Sequence, residues 1–88
     1  MAAWHREDIA TLVERSLAGI LKVDVRIRYQ PGKYELVVRF MDAESVEDIT
    51  GDYKRMVNEN QVSMHWVEQR VRKHMLRIAK HVVEEVGA

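Results

Sequence analysis

The stretch "KVDVRIRYQPGKYELVVRF", residues 22–40, carries the strongest structural signal in this chain. On both sides of "PG", apolar and polar residues alternate with a period of two, which is typical of strands that bury one face. Pro-Gly is a favoured turn pair, because proline fixes the first turn dihedral and glycine accepts a positive φ at the second. The sequence therefore predicts a β-hairpin. Its dry face carries Val23, Val25, Ile27 and Tyr29 from one strand, and Tyr34, Leu36, Val38 and Phe40 from the other.

The charged residues of this hairpin predict its register. If paired residue numbers sum to 63, Arg28 lies opposite Glu35 and Asp24 lies opposite Arg39. A slip to a sum of 65 would set Arg26 against Arg39, and like charges directly opposite each other destabilise a sheet. We therefore expect a sum of 63. The loop has two residues in this register, or it opens to four residues without a change of register, because Pro-Gly favours a type II turn that fits hairpins less well.

Helical spacing predicts a first helix before the hairpin and a short helix after it. Apolar residues recur three and four positions apart over about 6–18. Gly19 is placed to end this helix in a left-handed C-cap, with Ile20 folding back onto the apolar stripe. After the hairpin, Ser45 followed three residues later by Asp48 resembles a capping box and predicts a helix start.

A long final helix is predicted over about 61–86, because its apolar residues recur at helical spacing and form an arc of nearly half the circumference. A second hairpin from 53–57 and 62–66 is the alternative for the preceding segment. The predicted fold is α+β, in the order helix, two-stranded antiparallel hairpin, short helix, long helix. Residues 1–88 are expected to form a single small domain.

Composition excludes several functional classes. The chain has 88 residues, no cysteine, and 14 acids balanced by 14 bases. Thiolate metal sites and thiol catalysis are therefore excluded, and the balanced charge does not indicate a strongly basic nucleic-acid-binding domain. The first residues lack the pattern of a secretory signal, and no apolar run is long enough to span a bilayer. We expect a cytoplasmic protein without membrane contact.

The order helix–hairpin–helix resembles small phage head–tail joining proteins. "ESVEDI", residues 44–49, is similar to the start of the second helix in those proteins. The resemblance implies a structural role in an assembly, although the long final helix departs from that pattern.

The apolar arc of the long helix predicts a protein-interaction or assembly module. A two-stranded sheet offers little surface to cover this arc, so we expect a second copy of the chain to cover it, with another protein as the alternative. Glu68 and Arg72 lie beside the arc one turn apart, where they could form an ion pair or set the register of an interface. The interface candidates are Trp66, Val67, Glu68, Val71, Arg72, Met75, Ile78 and Val82.

Basic residues support an alternative, which is a nucleic-acid-binding protein. Four of them share the wet face of the predicted hairpin, and three more form a row on the long helix. The candidates are Arg26, Arg28, Lys33, Arg39, Arg70, Lys73 and Arg77. The aromatic residues of the hairpin fall on the other face, which weakens this hypothesis.

No pattern predicts a cofactor, a metal or catalysis. His81 and Glu85 are one helical turn apart, a spacing that can hold zinc, but His74 lies two turns from His81 and no HExxH motif is present. The serines have no nucleophile-elbow context. We therefore expect no enzymatic activity.

Overall fold

The computed structural model describes residues 6–87, and the side chains of residues 9–85. These residues form an α+β fold with a three-stranded antiparallel sheet. No helix among them is long and apolar enough to cross a membrane. The elements are α1 (Arg6–Leu17), β1 (Asp24–Gln30), β2 (Lys33–Phe40), β3 (Ala43–Asp48), α2 (Thr50–Asn58) and α3 (Met64–Gly87).

The hairpin of β1 and β2 has the predicted register. Asp24 pairs with Arg39 and Arg28 pairs with Glu35, so the residue numbers sum to 63. The loop has two residues, and Gly32 has a φ of 78°. This left-handed conformation is the one that the glycine of a Pro-Gly turn supplies.

The prediction of a two-stranded sheet is wrong, because residues 43–48 form a third strand and not a helix. A tight turn at Met41 and Asp42 reverses the chain, with φ values of 53° and 59°. Positive φ at both central residues is the mark of a type I′ turn, whose twist matches that of the flanking strands. The segment "ESVEDI" therefore belongs mainly to β3, and it gives no support to the resemblance to phage joining proteins.

Helix α2 begins later than predicted, and its N-cap residue, Ile49, supplies no side-chain hydrogen bond. Ser45 does not cap a helix, whereas Asp48 accepts hydrogen bonds from the backbone N–H and the hydroxyl of Thr50. Asn60 follows the helix with a φ of 57°, and Gln61 N–H donates to the carbonyl of Met56. These contacts form a Schellman end. The alternative of a second hairpin in this region is wrong.

The end of α1 follows the prediction in one respect and departs from it in another. Gly19 has a φ of 83°, and the N–H of Ile20 donates to the carbonyl of Arg15, which completes a left-handed C-cap. Ile20 does not fold back onto the stripe, because its side chain is exposed. Helix α3 begins at Met64, where Ser63 Oγ accepts the N–H of Trp66 and acts as its N-cap.

One hydrophobic core joins α1, β2 and α3. Its most enclosed members come from the dry face of the central strand, from one side of each of these helices, and from Ile49 between β3 and α2. They are Ile9, Val13, Leu36, Val38, Phe40, Ile49, Val71, Met75, Ile78 and Ala79. The core thus lies between the helices and one face of the sheet, and it contains no residue of β1.

Candidate interaction surface

The apolar stripe of α3 is covered by the chain itself. Val71, Met75 and Ile78 are buried, and they belong to the same core cluster as residues of α1 and β2. Val67 and Val82 are half-buried against that cluster. The third strand and α1 supply the cover that a hairpin alone could not, and this cover encloses Val71, Met75 and Ile78 within the folded chain.

The polar candidates of α3 are also placed by contacts within the chain. Arg72 does not pair with Glu68, because its Nη1 lies 3.0 Å from Oε1 of Glu14 on α1. Trp66 packs against the core, and the guanidinium of Arg70 lies 5.4 Å from the centroid of its ring. Glu68 is exposed, and no ion pair of it is found among the described side chains.

The basic residues proposed for nucleic-acid binding are mostly paired with acids. On the wet face of the sheet, the four ion pairs are Arg26–Asp24, Arg28–Glu35, Lys33–Glu35 and Arg39–Glu44, at 3.0 to 3.8 Å. Arg70 pairs with Glu47 and Asp52. Lys73 and Arg77 are exposed on α3, which covers the other face of the sheet. The two groups of bases therefore do not form one continuous surface.

A polar network that the sequence did not predict connects α3 to β3. His74 is 1% exposed, and its two ring nitrogens contact Ser45 and Glu47, each at 2.6 Å. A carboxylate only accepts hydrogen bonds, so Nε2–H donates to Glu47. In the neutral ring, Nδ1 then accepts the hydroxyl hydrogen of Ser45. Residues two apart on a strand point to the same face, which is why one imidazole reaches both.

Serine, histidine and glutamate are also the components of a hydrolase triad. Here, however, the three side chains join α3 to β3. A nucleophilic serine must reach a substrate carbonyl, with donors directed at the developing oxyanion. Here Ser45 points from β3 onto the enclosed ring of His74, within the interface between helix and sheet. Glu47 also lies 3.2 Å from Arg70, so the network anchors α3 at two successive turns.

The histidines of α3 do not converge on a metal site. His81 Nε2 lies 3.0 Å from Oε1 of Glu85 on the exposed side of the helix, whereas both nitrogens of His74 face β3. Among the described residues, no group of three or more metal-ligating side chains comes together.

Strand β1 carries the largest row of uncovered apolar side chains in the sheet. Val25, Ile27 and Tyr29 are 37%, 40% and 63% exposed, although they lie on the same face as the fully enclosed Leu36 and Val38. The helices thus cover β2 and leave β1 open. The sequence predicted this face correctly but could not indicate how far the helices extend across it.

An aromatic ladder supports the exposed end of this row. The ring centroids of Tyr29 and Tyr34 are 5.0 Å apart, and those of Tyr34 and Tyr53 are 4.5 Å apart. Tilted aromatic pairs at these separations attract each other beyond their area burial. Tyr29 is therefore an exposed ring that is supported by packing against Tyr34, and exposed aromatic rings of this kind are common anchors of interfaces.

A surface pocket of about 340 Å³ lies near the opposite end of the hairpin. It is lined by Lys22, Asp24, Arg39, Phe40, Met41 and Asp42. Two bases and two acids give this pocket no preferred sign of ligand charge.

No protein-family model, curated protein or solved structure matches this chain.

Proposed function

We propose that this chain is a small, non-enzymatic protein-interaction or assembly module that binds other polypeptides through β1. The observation that carries the proposal is the uncovered row of Val25, Ile27 and Tyr29 on an edge strand. A cytoplasmic location, which is consistent with a chain that lacks cysteine, is part of the same proposal.

The position of β1 in the sheet supports this proposal. In the order β1-β2-β3, β1 pairs only with β2 among the described residues. An edge strand presents unpaired backbone groups, and an apolar edge of this length invites a further strand. The contact surface thus differs from the stripe on α3, whose members Val71, Met75 and Ile78 are enclosed.

Association measured on a β1 variant tests the proposal. The double variant Ile27→Ser with Tyr29→Ser removes apolar surface from β1. The control, Val57→Ser with Met64→Ser, removes exposed apolar surface elsewhere. Light scattering after size exclusion, over a dilution series, gives the mass of each, and capture from a cell extract gives the partners.

We expect the wild-type chain to self-associate or to capture a defined partner, and the β1 variant to lose that association while its circular dichroism is kept. The control should retain it. The proposal is overturned if a folded β1 variant associates as the wild type does, or if the wild-type chain neither self-associates nor captures a partner.

A specific observation favours nucleic-acid binding as a second candidate. The exposed ring of Tyr29 lies at the same end of the hairpin as Arg28 and Lys33, although on the opposite face of the sheet, and single-stranded bases stack on such rings. The ion pairs of Arg28 and Lys33 with Glu35 oppose it. Affinity for single-stranded RNA that falls steeply with salt would support this candidate, and no binding at low salt would remove it.

A further inference from the structure

We propose that the free edge of β1 accepts an extended peptide in which acidic and apolar residues alternate, as a fourth strand of the sheet. This inference rests on the proposed function, because it names the class of partner that β1 would bind. It follows from the two faces of β1, one of which is apolar and the other charged. Both faces remain accessible along the open edge.

The first face requires apolar residues in the incoming strand. Val25, Ile27 and Tyr29 form a row along β1 on the side of the core, and each is more than a third exposed. Side chains directly opposite each other on neighbouring strands lie about 4.5 to 5.5 Å apart at Cβ. Alternate residues of an added strand would therefore cover this row, and apolar side chains there would remove it from water.

The second face requires acidic residues at the intervening positions. On the wet face, β1 and β2 each carry two bases and one acid, whereas the acids Glu44 and Asp48 lie on the far strand β3, so the excess of bases is on the side of the open edge. Glu35 is buried between Arg28 and Lys33, where it already neutralises part of both. Arg26 remains largely exposed beside the open edge. Carboxylates opposite Arg26 and Arg28 would complete this face, whereas bases would be repelled.

A second copy of this chain fits the same edge poorly. If two β1 strands paired antiparallel about Ile27, Arg26 of each copy would face Arg28 of the other, and pairing about Arg26 would set that residue against itself. Strand β3 of another copy would bring Glu44 and Asp48 to the wet face. On the other face of β3, Ser45 and Glu47 are polar and contact α3. These two residues therefore offer no apolar cover to Val25, Ile27 and Tyr29 of β1.

Peptides of defined pattern, as long as β1, test the inference by fluorescence anisotropy with the full chain. The probe alternates valine with glutamate, and its matched control alternates valine with lysine. Two further probes carry N-methyl groups on the valines or on the glutamates. Each N-methylated probe lacks the backbone N–H donors along one edge of the peptide strand. Whether the peptide pairs parallel or antiparallel to β1, one of the two probes should therefore fail to form the hydrogen bonds of strand addition.

A matched pair of chain variants completes the design. Arg26→Glu reverses a charge at the edge of β1, and Arg55→Glu reverses one on α2. Both arginine side chains are 63% exposed, and each is ion-paired with an aspartate of its own element. We expect Arg26→Glu to weaken binding of the glutamate peptide about three- to tenfold, and Arg55→Glu to leave it unchanged.

The expected result is binding of the glutamate peptide, weak binding of the lysine peptide, and loss of binding with one of the two N-methylated probes. Equal binding of both charge patterns, or undiminished binding of both N-methylated probes, overturns the inference. If no peptide binds but the β1 variant Ile27→Ser with Tyr29→Ser still abolishes association, the inference fails and the proposed function stands. If that variant also has no effect, both fail.

Discussion

Oε1 of Glu47 lies 2.6 Å from Nε2 of His74 and joins the outer strand β3 to α3 across 27 positions of sequence. Ser45 holds the other ring nitrogen at the same distance. Among the described residues, no buried side-chain polar atom lacks a hydrogen-bond partner. Such complete networks stabilise a fold, and they become costly when one member is removed.

Removal of the imidazole should therefore destabilise the chain strongly. We expect His74→Ala to lower the free energy of unfolding by about 2 to 4 kcal/mol, because it leaves a cavity and two polar groups without their partner. His81→Ala, on the exposed side of the same helix, should change it by less than about 0.5 kcal/mol. Urea denaturation measures both, and equal effects would contradict the structural role of His74.

The hydrogen bonds between Asp48 and Thr50 at the start of α2 should weaken in acid. Hydrogen bonds from the hydroxyl and the backbone N–H of Thr50 lower the pKa of Asp48 below its ordinary value of 3.8. A carboxyl whose pKa is lower in the folded state stabilises the fold above its unfolded pKa, and this contribution is lost as the pH falls through the folded value.

Asp48→Ala should thus destabilise the chain at pH 7, and the difference from wild type should shrink as the pH falls below about 4. Thr50→Val removes the side-chain donor and should shift the pKa of Asp48 back upward, as measured by NMR titration. A difference between wild type and Asp48→Ala that stays constant with pH would show that the charge of Asp48 does not stabilise α2.

The turn between β2 and β3 offers a stabilising substitution. Asp42 is exposed and has a φ of 59°, a conformation that favours glycine. We expect Asp42→Gly to raise the free energy of unfolding by about 0.5 to 1 kcal/mol. Glu44→Gly, in the extended strand that follows, should lower it. A lower urea midpoint for Asp42→Gly would contradict the assignment of this turn.

Two methionines of α3 test where its apolar stripe is covered. Met75 is fully buried and Met64 is 67% exposed. Met75→Ala should cost about 2 to 5 kcal/mol of unfolding free energy, and Met64→Ala less than about 0.5 kcal/mol. If Met75→Ala instead lowered the molecular mass of the protein in solution and left the free energy of unfolding of the monomer unchanged, the apolar stripe of α3 would be covered by a second copy of the chain.

The hairpin could be predicted from sequence because both of its strands alternate apolar with polar residues, and because its charges allow only one favourable register. Strand β3 could not. Its inward residues Ser45 and Glu47 are polar, and their partner His74 lies far along the chain. The spacing of Ser45 and Asp48 also fits a helix cap. In addition, the turn before β3 lacks the glycine or asparagine that usually marks a type I′ turn.

The candidate surface was hidden for a different reason. Alternation indicates which face of β1 is apolar, but it does not indicate which strands the helices reach. In the structure α1 and α3 close over β2, so the stripe expected to bind a partner is enclosed, and the hairpin face expected to be enclosed remains open at Ile27 and Tyr29.

The position of α3 after the sheet in the chain has a consequence during synthesis. Its 24 residues cover both α1 and the sheet, so Leu36, Val38 and Phe40 have no complete cover until α3 has left the ribosome. At ordinary elongation rates the synthesis of α3 takes about 1 to 5 s. During that interval the nascent chain exposes an apolar sheet, and a ribosome stalled before α3 would release a product prone to aggregation.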